Sequence, residues 1–413
     1  MAEYLRRRGF RLLAAGWQCR YGEIDLIAED EQYILFTEVK LRKSAAFAPA
    51  RASVDRRKQA RLRTTAELYL AQFPTGRQPR FDVAEVYAPE GTATRDPEIH
   101  YIVEVFDGHC DTILRCYLEG GGFRERPGHL DLTRTRKFSR YAQFFACFGE
   151  PEDMPGRPLW EVFQEEVALF RREMEQNADR VVFCRSGREA EAAFAGGRAA
   201  AFLSAEGAEL LDCDLDKLRQ AHAWGVRAVN LTWNHPNALS GTNAEERERG
   251  LSSKGRAFVR EMQRLGMLVD VSHLSDPGFW DVMEIAEKPI FASHSNARDV
   301  FFDTRNLTDA QFTAIIKNNG VAGLNLYAGF LGKTADLDTV TRHLEHFLAL
   351  GGERNLSLGG DWDGCAVLPR GMEGIQDLDR LYEHLLRRNY HEELVRGIFY
   401  SNLMRVVSEV CNT

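Results

Sequence analysis

The stretch "GMLVDVSHLSDPGFWDVMEIAEKPIFASH", residues 266–294, decides the fold. Two short apolar runs, "LVDVSH" and "PIFASH", flank a segment whose apolar residues recur at helical spacing. Strands that are buried on both faces and separated by one helix are typical of a βαβ unit with parallel strands. We therefore expect His273 and His294 to follow two neighbouring strands at the same edge of the sheet.

Strands and helices alternate in the same way from about residue 101 to residue 413. Other apolar runs that end in polar residues or glycine are "IHYIVEVFDGHCD", "AAFLSAEG", "VRAVNLTWN", "GVAGLNLYA" and "NLSLGGDWDG". Seven or eight such units in this length favour an α/β protein with a (β/α)₈ (TIM) barrel over an open sheet. In such a barrel the functional residues gather at the carboxyl ends of the strands.

The first hundred residues follow a different pattern. It predicts a helix over "AEYLRRRGFRLL", strands over "GEIDLIAED" and "QYILFTEVKLR", a helix capped by Ser53, and a strand over "RFDVAEVYA". Residues 88–100 are polar and contain proline, glycine and threonine, which predicts a linker. The predicted domains are therefore a small α/β domain at 1–87, the linker at 88–100, and the barrel at 101–413.

Composition and charge narrow the class of protein. Hydrophobic residues make up 44% and charged residues 28% of the chain, and no run approaches a membrane span or a secretory signal. The eight cysteines form no CxxC pair, which favours a reducing compartment. We expect a cytoplasmic protein that does not enter a membrane. The net charge is −8, but the first hundred residues are net basic, which indicates two modules with different partners.

Residues that can bind a metal follow several of the predicted barrel strands. His109 and Asp111 in "FDGHCD" are two positions apart, so both side chains point to one side of a strand. His273 and His294 follow two other strands, and Glu206 directly follows the run "FLSA". Three imidazoles and two carboxylates suffice for a site that holds two divalent cations, and this donor set suits zinc.

Two further carboxylates lie in "GGDWDG" after the last predicted strand. Asp361 or Asp363 beside such a site is suited to accept a proton from a water or hydroxide that the two metal ions share. A turn built from aspartate and glycine explains the same pattern equally well.

The N-terminal domain has its own candidate site. Asp25 in "GEIDLI" and Glu38 and Lys40 in "FTEVK" lie on neighbouring predicted strands, where two carboxylates suit Mg²⁺ and the lysine suits an anionic phosphate. Residues 40–63 contain nine Lys or Arg against one acidic residue. A solvated basic helix after an amphipathic hairpin remains the alternative.

The barrel region resembles the membrane (renal) dipeptidase family of zinc hydrolases over residues 104–411. The matching pieces, in order along the chain, include "FDGHCDTILR", "AAFLSAEG", "GVRAVNLTWNHPN", "GMLVDVSH", "IFASHSNAR", "TRNLTD" and "LGGDWDG". The resemblance implies a (β/α)₈ barrel that hydrolyses dipeptides with two zinc ions. It implies that His109 and Asp111 hold one ion, that His273 and His294 hold the other, and that Glu206 bridges both and so takes part in catalysis.

The resemblance also implies roles for side chains around the metals. Arg305 in "TRN" would hold the substrate carboxylate or the developing oxyanion, and Asp361 would take the proton of the bridging water. Trp233 stands where the family has a histidine that contacts the substrate, and His235 lies two residues further on. This departure predicts a specificity that differs from the family's usual one. The other predicted substrate contacts are Asn325 and Tyr327.

Residues 1–87 resemble the YraN-like family, small proteins of the restriction-endonuclease fold, through "GEIDLIAED", "FTEVKLR" and "RFDVAEVY". One hypothesis is a metallodipeptidase with an attached nuclease-like module. A second is a nucleic-acid-binding or nuclease protein whose barrel acts on another amide, and a third is a fusion without a joint function. The sequence leaves open whether the chain forms a homodimer.

Overall fold

The computed structural model describes residues 1–7, 9–31, 33–42, 56–87, 98–101, 103–150 and 154–412. The predicted helix cap at Ser53 and most of the predicted linker lie outside these residues. The chain divides into two compact units, one of Met1–Val103 with two short later segments, and one formed by the remainder.

The first unit is a five-stranded sheet with two helices. Its elements are α1 (Ala2–Arg7), β1 (Arg11–Cys19), β2 (Gly22–Glu29), β3 (Tyr33–Arg42), α2 (Arg56–Gln72), β4 (Gln78–Tyr87) and β5 (Glu98–Tyr101). The strands lie in chain order, and all neighbours are antiparallel except the parallel pair β3–β4. The helix α2 covers one face of the sheet through Leu62, Ala66 and Tyr69, which pack on a group of isoleucine and phenylalanine side chains.

The second unit is a closed barrel of eight parallel strands. These are β6 (Glu104–Asp107), β7 (Arg140–Cys147), β9 (Ala199–Glu206), β10 (Val226–Asn230), β11 (Leu268–Asp270), β12 (Phe291–Ala292), β13 (Val321–Leu324) and β14 (Leu356–Leu358), with β8 (Val181–Phe183) added beside β9. Each strand pairs in parallel with the next, and β14 pairs with β6 to close the ring. The predicted fold class is confirmed.

Helices follow most of the barrel strands. They are α3 (Thr112–Glu119), α4 (Leu159–Gln176), α5 (Gly187–Ala195), α6 (Leu215–Ala223), α7 (Ser253–Leu265), α8 (Asp276–Ile285), α9 (Asp309–Lys317), α10 (Ala328–Leu331), α11 (Leu337–Ala349), α12 (Leu378–Arg387), α13 (Glu392–Arg396) and α14 (Asn402–Val410). Several begin at a side-chain cap, such as Ser252 before α7 and Ser275 before α8. Among the described residues, no helix combines the length and the apolar character that a transmembrane span requires.

Phenylalanine side chains fill the barrel beneath its mouth. The rings of Phe106, Phe144 and Phe202 lie 5.2–5.7 Å apart, and Phe144 also contacts Phe291 at 5.6 Å. Because β7 and β12 are not neighbours in the sheet, this last contact crosses the interior. Directly above, only glycine fits at Gly108, since a Cβ there would lie 2.9 Å from Phe291 Cζ. The aromatic layer thus packs directly beneath the residues at the carboxyl ends of the strands.

Three details differ from the sequence prediction. The helix predicted over "AEYLRRRGFRLL" ends at Arg7, because Gly9 has a left-handed backbone (φ 86°) and residues 11–19 pair with β2. The run "IHYIVEVF" is two strands, since Glu98–Tyr101 pairs with β4 whereas Glu104–Asp107 begins the barrel. Strand β7 had no counterpart among the apolar runs, because its Arg140 and Gln143 interrupt the apolar pattern.

Candidate metal centre

The predicted ligands meet at the carboxyl ends of four barrel strands. His109 and Asp111 follow β6, and Glu206 is the last residue of β9. His273 follows β11 and His294 follows β12. All five side chains are buried, with at most 8% of any residue exposed. The closed parallel barrel brings these ends to one mouth, which explains how residues up to 185 positions apart in sequence come together.

The carboxylate of Glu206 lies at the centre of the group. Its Oε2 is 3.2 Å from His109 Nε2, whereas its Oε1 is 3.1 Å from His273 Nε2 and 3.4 Å from His294 Nε2. The imidazoles also face one another, with the His109 and His294 rings 4.0 Å apart. The two oxygens of one carboxylate therefore face different imidazoles, while one ligand atom each of His109, Glu206 and His294 also lies within 4.8 Å of the other two.

A second group of donors adjoins the first on the side of β6 and β14. One ligand atom each from His109, Asp111 and Asp361 lies within 4.8 Å of the other two. Asp361 Oδ2 accepts a hydrogen bond from Asn325 Nδ2 at 3.1 Å. Asp111 Oδ1 is buried and has no hydrogen-bond partner among the described residues. Buried polar atoms normally have a partner, so this oxygen is available to bind a cation.

Neighbouring side chains fix the orientation of the imidazoles. His273 Nδ1 lies 3.0 Å from Asn234 Oδ1, and His294 Nδ1 lies 2.6 Å from Ser293 Oγ. These contacts leave the Nε2 atoms to face Glu206, as expected when the second ring nitrogen of a metal-binding histidine is held by a partner. Sequence reasoning missed Asn234 and Ser293, although both lie directly beside residues that it singled out.

Burial and mutual charge dominate the titration of the group. Burial raises the pKa of Glu206 to about 7 and that of Asp361 to about 6, with Asp111 adding to both shifts. Burial, together with the positive charges of His109 and Arg305, lowers the pKa values of His273 and His294 well below the usual range. Against the effect of burial, the charges of Glu206 and Asp111 raise the pKa of His109 well above the usual range. Divalent cations bind neutral imidazoles and ionised carboxylates, so metal binding at this group would release protons.

Arg305 supplies a buried positive charge next to the carboxylates. Arg305 is 5% exposed, and its Nη1 donates a hydrogen bond to Ser295 Oγ at 2.9 Å. The Nε and Nη2 donors are buried and meet no acceptor among the residues that the structure describes. The guanidinium stacks near the ring of Phe330, 5.9 Å from its centroid. Two fixed donors of a buried guanidinium are thus free to bind an anionic group.

The other predicted site residues lie at the rim or serve as supports. Tyr327 donates its backbone N–H to Asn325 Oδ1 at 2.6 Å, so this contact holds the amide that binds Asp361. His235 is half exposed and lies 3.3 Å from Glu245, outside the group around Glu206.

Asp363, unlike Asp361, lies outside the groups of candidate metal ligands found among the described residues. Its carboxylate accepts hydrogen bonds from Thr112 Oγ1, Arg126 Nη1 and the backbone N–H of His129, each at 2.7 Å. It ties the segment after β14 to the helix that follows Asp111.

The first unit also brings its predicted residues together. Asp25 Oδ2 accepts a hydrogen bond from the backbone N–H of Val39 at 2.6 Å, and Glu38 Oε1 pairs with Lys40. Lys58 of α2, which sequence reasoning did not single out, lies 2.6 Å from the same oxygen. Glu38 is 2% exposed, and its Oε2 has no hydrogen-bond partner among the described residues. Burial raises the pKa of Asp25, and the charge of Glu38 adds to the shift.

Comparison with known proteins places both parts of the chain. Residues 94–413 match the family model described as Membrane dipeptidase (Peptidase family M19), and residues 1–86 match the uncharacterised protein family UPF0102, the YraN-like family. An uncharacterised dipeptidase of Schizosaccharomyces pombe is 31% identical over 298 residues, which are 67% of this chain and 71% of the yeast protein.

Two solved structures resemble the barrel closely. One is a metallopeptidase from Rhodobacter sphaeroides, liganded with a phosphinate mimic of the dipeptide L-Ala-D-Ala. Its TM-score is 0.68 at 28% identity, with 75% of this chain and 99% of that chain covered. The other, named dipeptidase AC, has a TM-score of 0.67 at 29% identity and covers 76% of this chain and 100% of its own. The family model spans most of the chain and the strand-end histidines lie together, so the chain belongs to the membrane dipeptidase family of metallopeptidases.

Proposed function

We propose that the barrel hydrolyses dipeptides with two divalent metal ions, and that zinc is the metal. The main support for this proposal is that the two oxygens of the Glu206 carboxylate contact different imidazoles. One oxygen faces His109, and the other faces His273 and His294, at 3.1–3.4 Å in every case. A carboxylate whose two oxygens contact different imidazoles is better explained as a bridge between two cations than as a hydrogen-bonded residue of the core.

The remaining ligands divide in the same way. Asp111 and His109 would hold one ion with Oε2 of Glu206, since Asp111 Oδ2 lies 3.5 Å from His109 Nε2. His273 and His294 would hold the other ion with Oε1. The unused donor atom Asp111 Oδ1 fits this assignment, because a buried carboxylate oxygen without a partner is costly unless a cation binds it.

The chain's own side chains supply the rest of the reaction. The metal ions would polarise the scissile carbonyl and make a water molecule acidic near neutral pH. Asp361, beside Asp111 and held by Asn325, is placed to take up a proton and pass it to the leaving amine. The two unpaired donors of Arg305 would bind the substrate carboxylate or the negative charge that develops on the carbonyl oxygen.

Metal analysis combined with a dipeptide assay tests the proposal. The purified chain is expected to bind about two zinc ions, and a chelator should abolish hydrolysis until zinc is restored. His273→Ala should remove one ion and nearly all activity. The matched control is His391→Ala, because His391 is exposed at the start of α13 and belongs to none of the metal-capable groups among the described residues; it should leave both properties unchanged. Hydrolysis at the parent rate by His273→Ala would refute the assignment.

We also propose a second activity for the first unit: Mg²⁺ binding and action on nucleic-acid phosphodiesters. Asp25 and the unpartnered Oε2 of Glu38 would hold the cation, and Lys40 and Lys58 would face the phosphate. Lys58 also borders a cavity of about 370 Å³ whose walls include Arg61. Positive side chains beside a cation site suit a phosphate backbone.

The test for this unit uses the full chain and a branched DNA substrate. Nicking should require Mg²⁺ and disappear in Lys40→Ala, whereas Lys254→Ala, at an exposed lysine of α7, should nick like the parent. Mg²⁺-independent binding without cleavage in the parent would reduce this unit to a nucleic-acid-binding role. Absence of both binding and cleavage would contradict the proposal and leave the dipeptidase proposal intact.

A further inference from the structure

An aromatic pair lies at the barrel mouth beside His273, one of the proposed metal ligands. Phe148 directly follows β7, and Trp233 lies three residues after β10. Their ring centroids are 4.8 Å apart. Strand β9, which ends in Glu206, lies between β7 and β10 in the barrel, so the two rings belong to the loops that follow the strands on either side of the one that carries the proposed bridging residue.

Packing holds the indole in place. The side chain of Trp233 packs on a buried apolar cluster that includes Phe148 and Leu114 of α3. On its other side the indole lies 6.2 Å from the ring of His273, with an interplanar angle of 35°. The next residue, Asn234, accepts a hydrogen bond from His273 Nδ1–H through its Oδ1 and thereby anchors the loop. Because Trp233 is only partly buried, apolar surface remains open beside the proposed metal ligands.

Most of the other side chains named around the proposed ligands are polar, apart from Phe330 beside Arg305. Arg305, Asp361 and Asn325 surround the proposed ligands with charged or hydrogen-bonding groups. Beyond the indole, the half-exposed His235 pairs with Glu245 at the rim. A substrate side chain that lies on Trp233 therefore exchanges water for apolar surface, whereas an acidic side chain there would lose its hydration and approach the carboxylates of Glu150 and Glu245 around His235.

We propose that Trp233, supported by Phe148, selects dipeptides that carry a large apolar or aromatic side chain. This inference rests on the proposed dipeptide hydrolysis and specifies its substrate class. Aromatic rings at 4.5–7 Å attract one another beyond the simple burial of area, so phenylalanine is the best match to an indole wall.

The experiment compares kcat/KM for Ala-Ala, Phe-Ala, Ala-Phe, Lys-Ala and Glu-Ala in the zinc-loaded parent enzyme. One of the two phenylalanine dipeptides should exceed Ala-Ala by about tenfold or more, and Glu-Ala should be poorer than Ala-Ala. Trp233→Gln should reduce the ratio of the better phenylalanine dipeptide to Ala-Ala by about tenfold, whereas Trp233→Phe should retain most of it. Trp280→Ala serves as the control, because Trp280 is a 44% exposed tryptophan on α8.

The outcomes separate the two proposals. A parent enzyme that binds zinc and cleaves none of the five dipeptides contradicts the proposed function itself. Cleavage with Ala-Ala equal to or better than both phenylalanine dipeptides overturns the apolar preference alone. An unchanged ratio in Trp233→Gln also overturns it. Zinc content is measured for each variant. If Trp233→Gln loses zinc, the apolar preference is judged from the parent enzyme and Trp233→Phe, both of which must favour the same phenylalanine dipeptide over Ala-Ala.

Discussion

Replacing Asp363 by asparagine is expected to destabilise the barrel strongly, although asparagine has nearly the same shape. The carboxylate is buried, and its side chain is 2% exposed. Oδ2 accepts hydrogen bonds from Thr112 and Arg126, and Oδ1 accepts one from the backbone N–H of His129. Asparagine offers one acceptor oxygen, so its NH₂ group must face at least one of these donors.

Removal of the negative charge of Asp363 makes the larger contribution to the loss of stability. The Arg126 side chain is 5% exposed and lies 2.7 Å from Asp363 Oδ2, so removal of the carboxylate leaves a buried guanidinium without its counter-ion. Removing one partner of a buried ion pair costs about 3–5 kcal/mol. For a unit of roughly 310 residues, an unfolding entropy of about 2.1 cal/mol/K per residue converts this loss into a fall in the thermal midpoint of about 5–8 °C.

Thermal unfolding of the parent and of Asp363→Asn, followed by far-ultraviolet circular dichroism at one scan rate, measures this loss. The control is Asp179→Asn. Asp179 pairs with Arg124 at 2.5 Å, but its side chain is 61% exposed. Solvent screens such a pair, so the control should unfold like the parent. If Asp363→Asn also unfolds within 1 °C of the parent, the reasoning about the buried pair is wrong.

Two further predictions concern stability. Hydrogen bonds from Arg264, which outweigh burial, and from Arg219 lower the pKa of Glu261 to about 2. The folded pKa lies below the unfolded value, so this stabilisation is complete above about pH 4.5 and is lost as the pH falls towards 2; Glu261→Gln should flatten this part of the acid-unfolding profile. Gly108→Ala would place a Cβ 2.8 Å from the carbonyl oxygen of Ser293, and we expect a lower thermal midpoint together with reduced zinc content, measured on the same sample.

The barrel could be predicted from the sequence because its signals are local. Each strand is a short apolar run that ends in polar residues, and parallel closure brings all carboxyl ends to one mouth. The proximity of His109 and Glu206 to His273 and His294 follows from that rule without knowledge of any side-chain contact. The metal-binding roles of these residues remain predictions.

The errors of the sequence prediction arose where distant contacts decide the structure. Residues 11–19 are a strand because β2 pairs with them and because Trp17 packs on Tyr69 of α2, 5.2 Å between ring centroids. Helical spacing of the same apolar residues gives no sign of either contact. The contact of Asp363 with Thr112 is similarly hidden, since it joins side chains 251 positions apart in the chain.

The backbone at the strand ends explains why the roles of neighbouring aspartates could not be separated by strand alternation. His273, Asp361 and Asp363 all have left-handed backbones, with φ of 71°, 55° and 66°. Each such residue costs on the order of 1 kcal/mol or more and persists only when surrounding contacts hold it. Here the hydrogen bonds of Asn234 to His273 and of Asn325 to Asp361 do so.

This strain also determines which substitutions are informative. Asparagine adopts the left-handed region more readily than other non-glycine residues, so Asp361→Asn removes the charge and leaves the backbone in place. Alanine at the same position would disturb both, and its effect on activity would mix proton transfer with the geometry of the turn. A large fall in kcat for Asp361→Asn at unchanged zinc content and thermal midpoint would therefore identify Asp361 as the proton acceptor. An unchanged kcat would show that the carboxylate only supports the site.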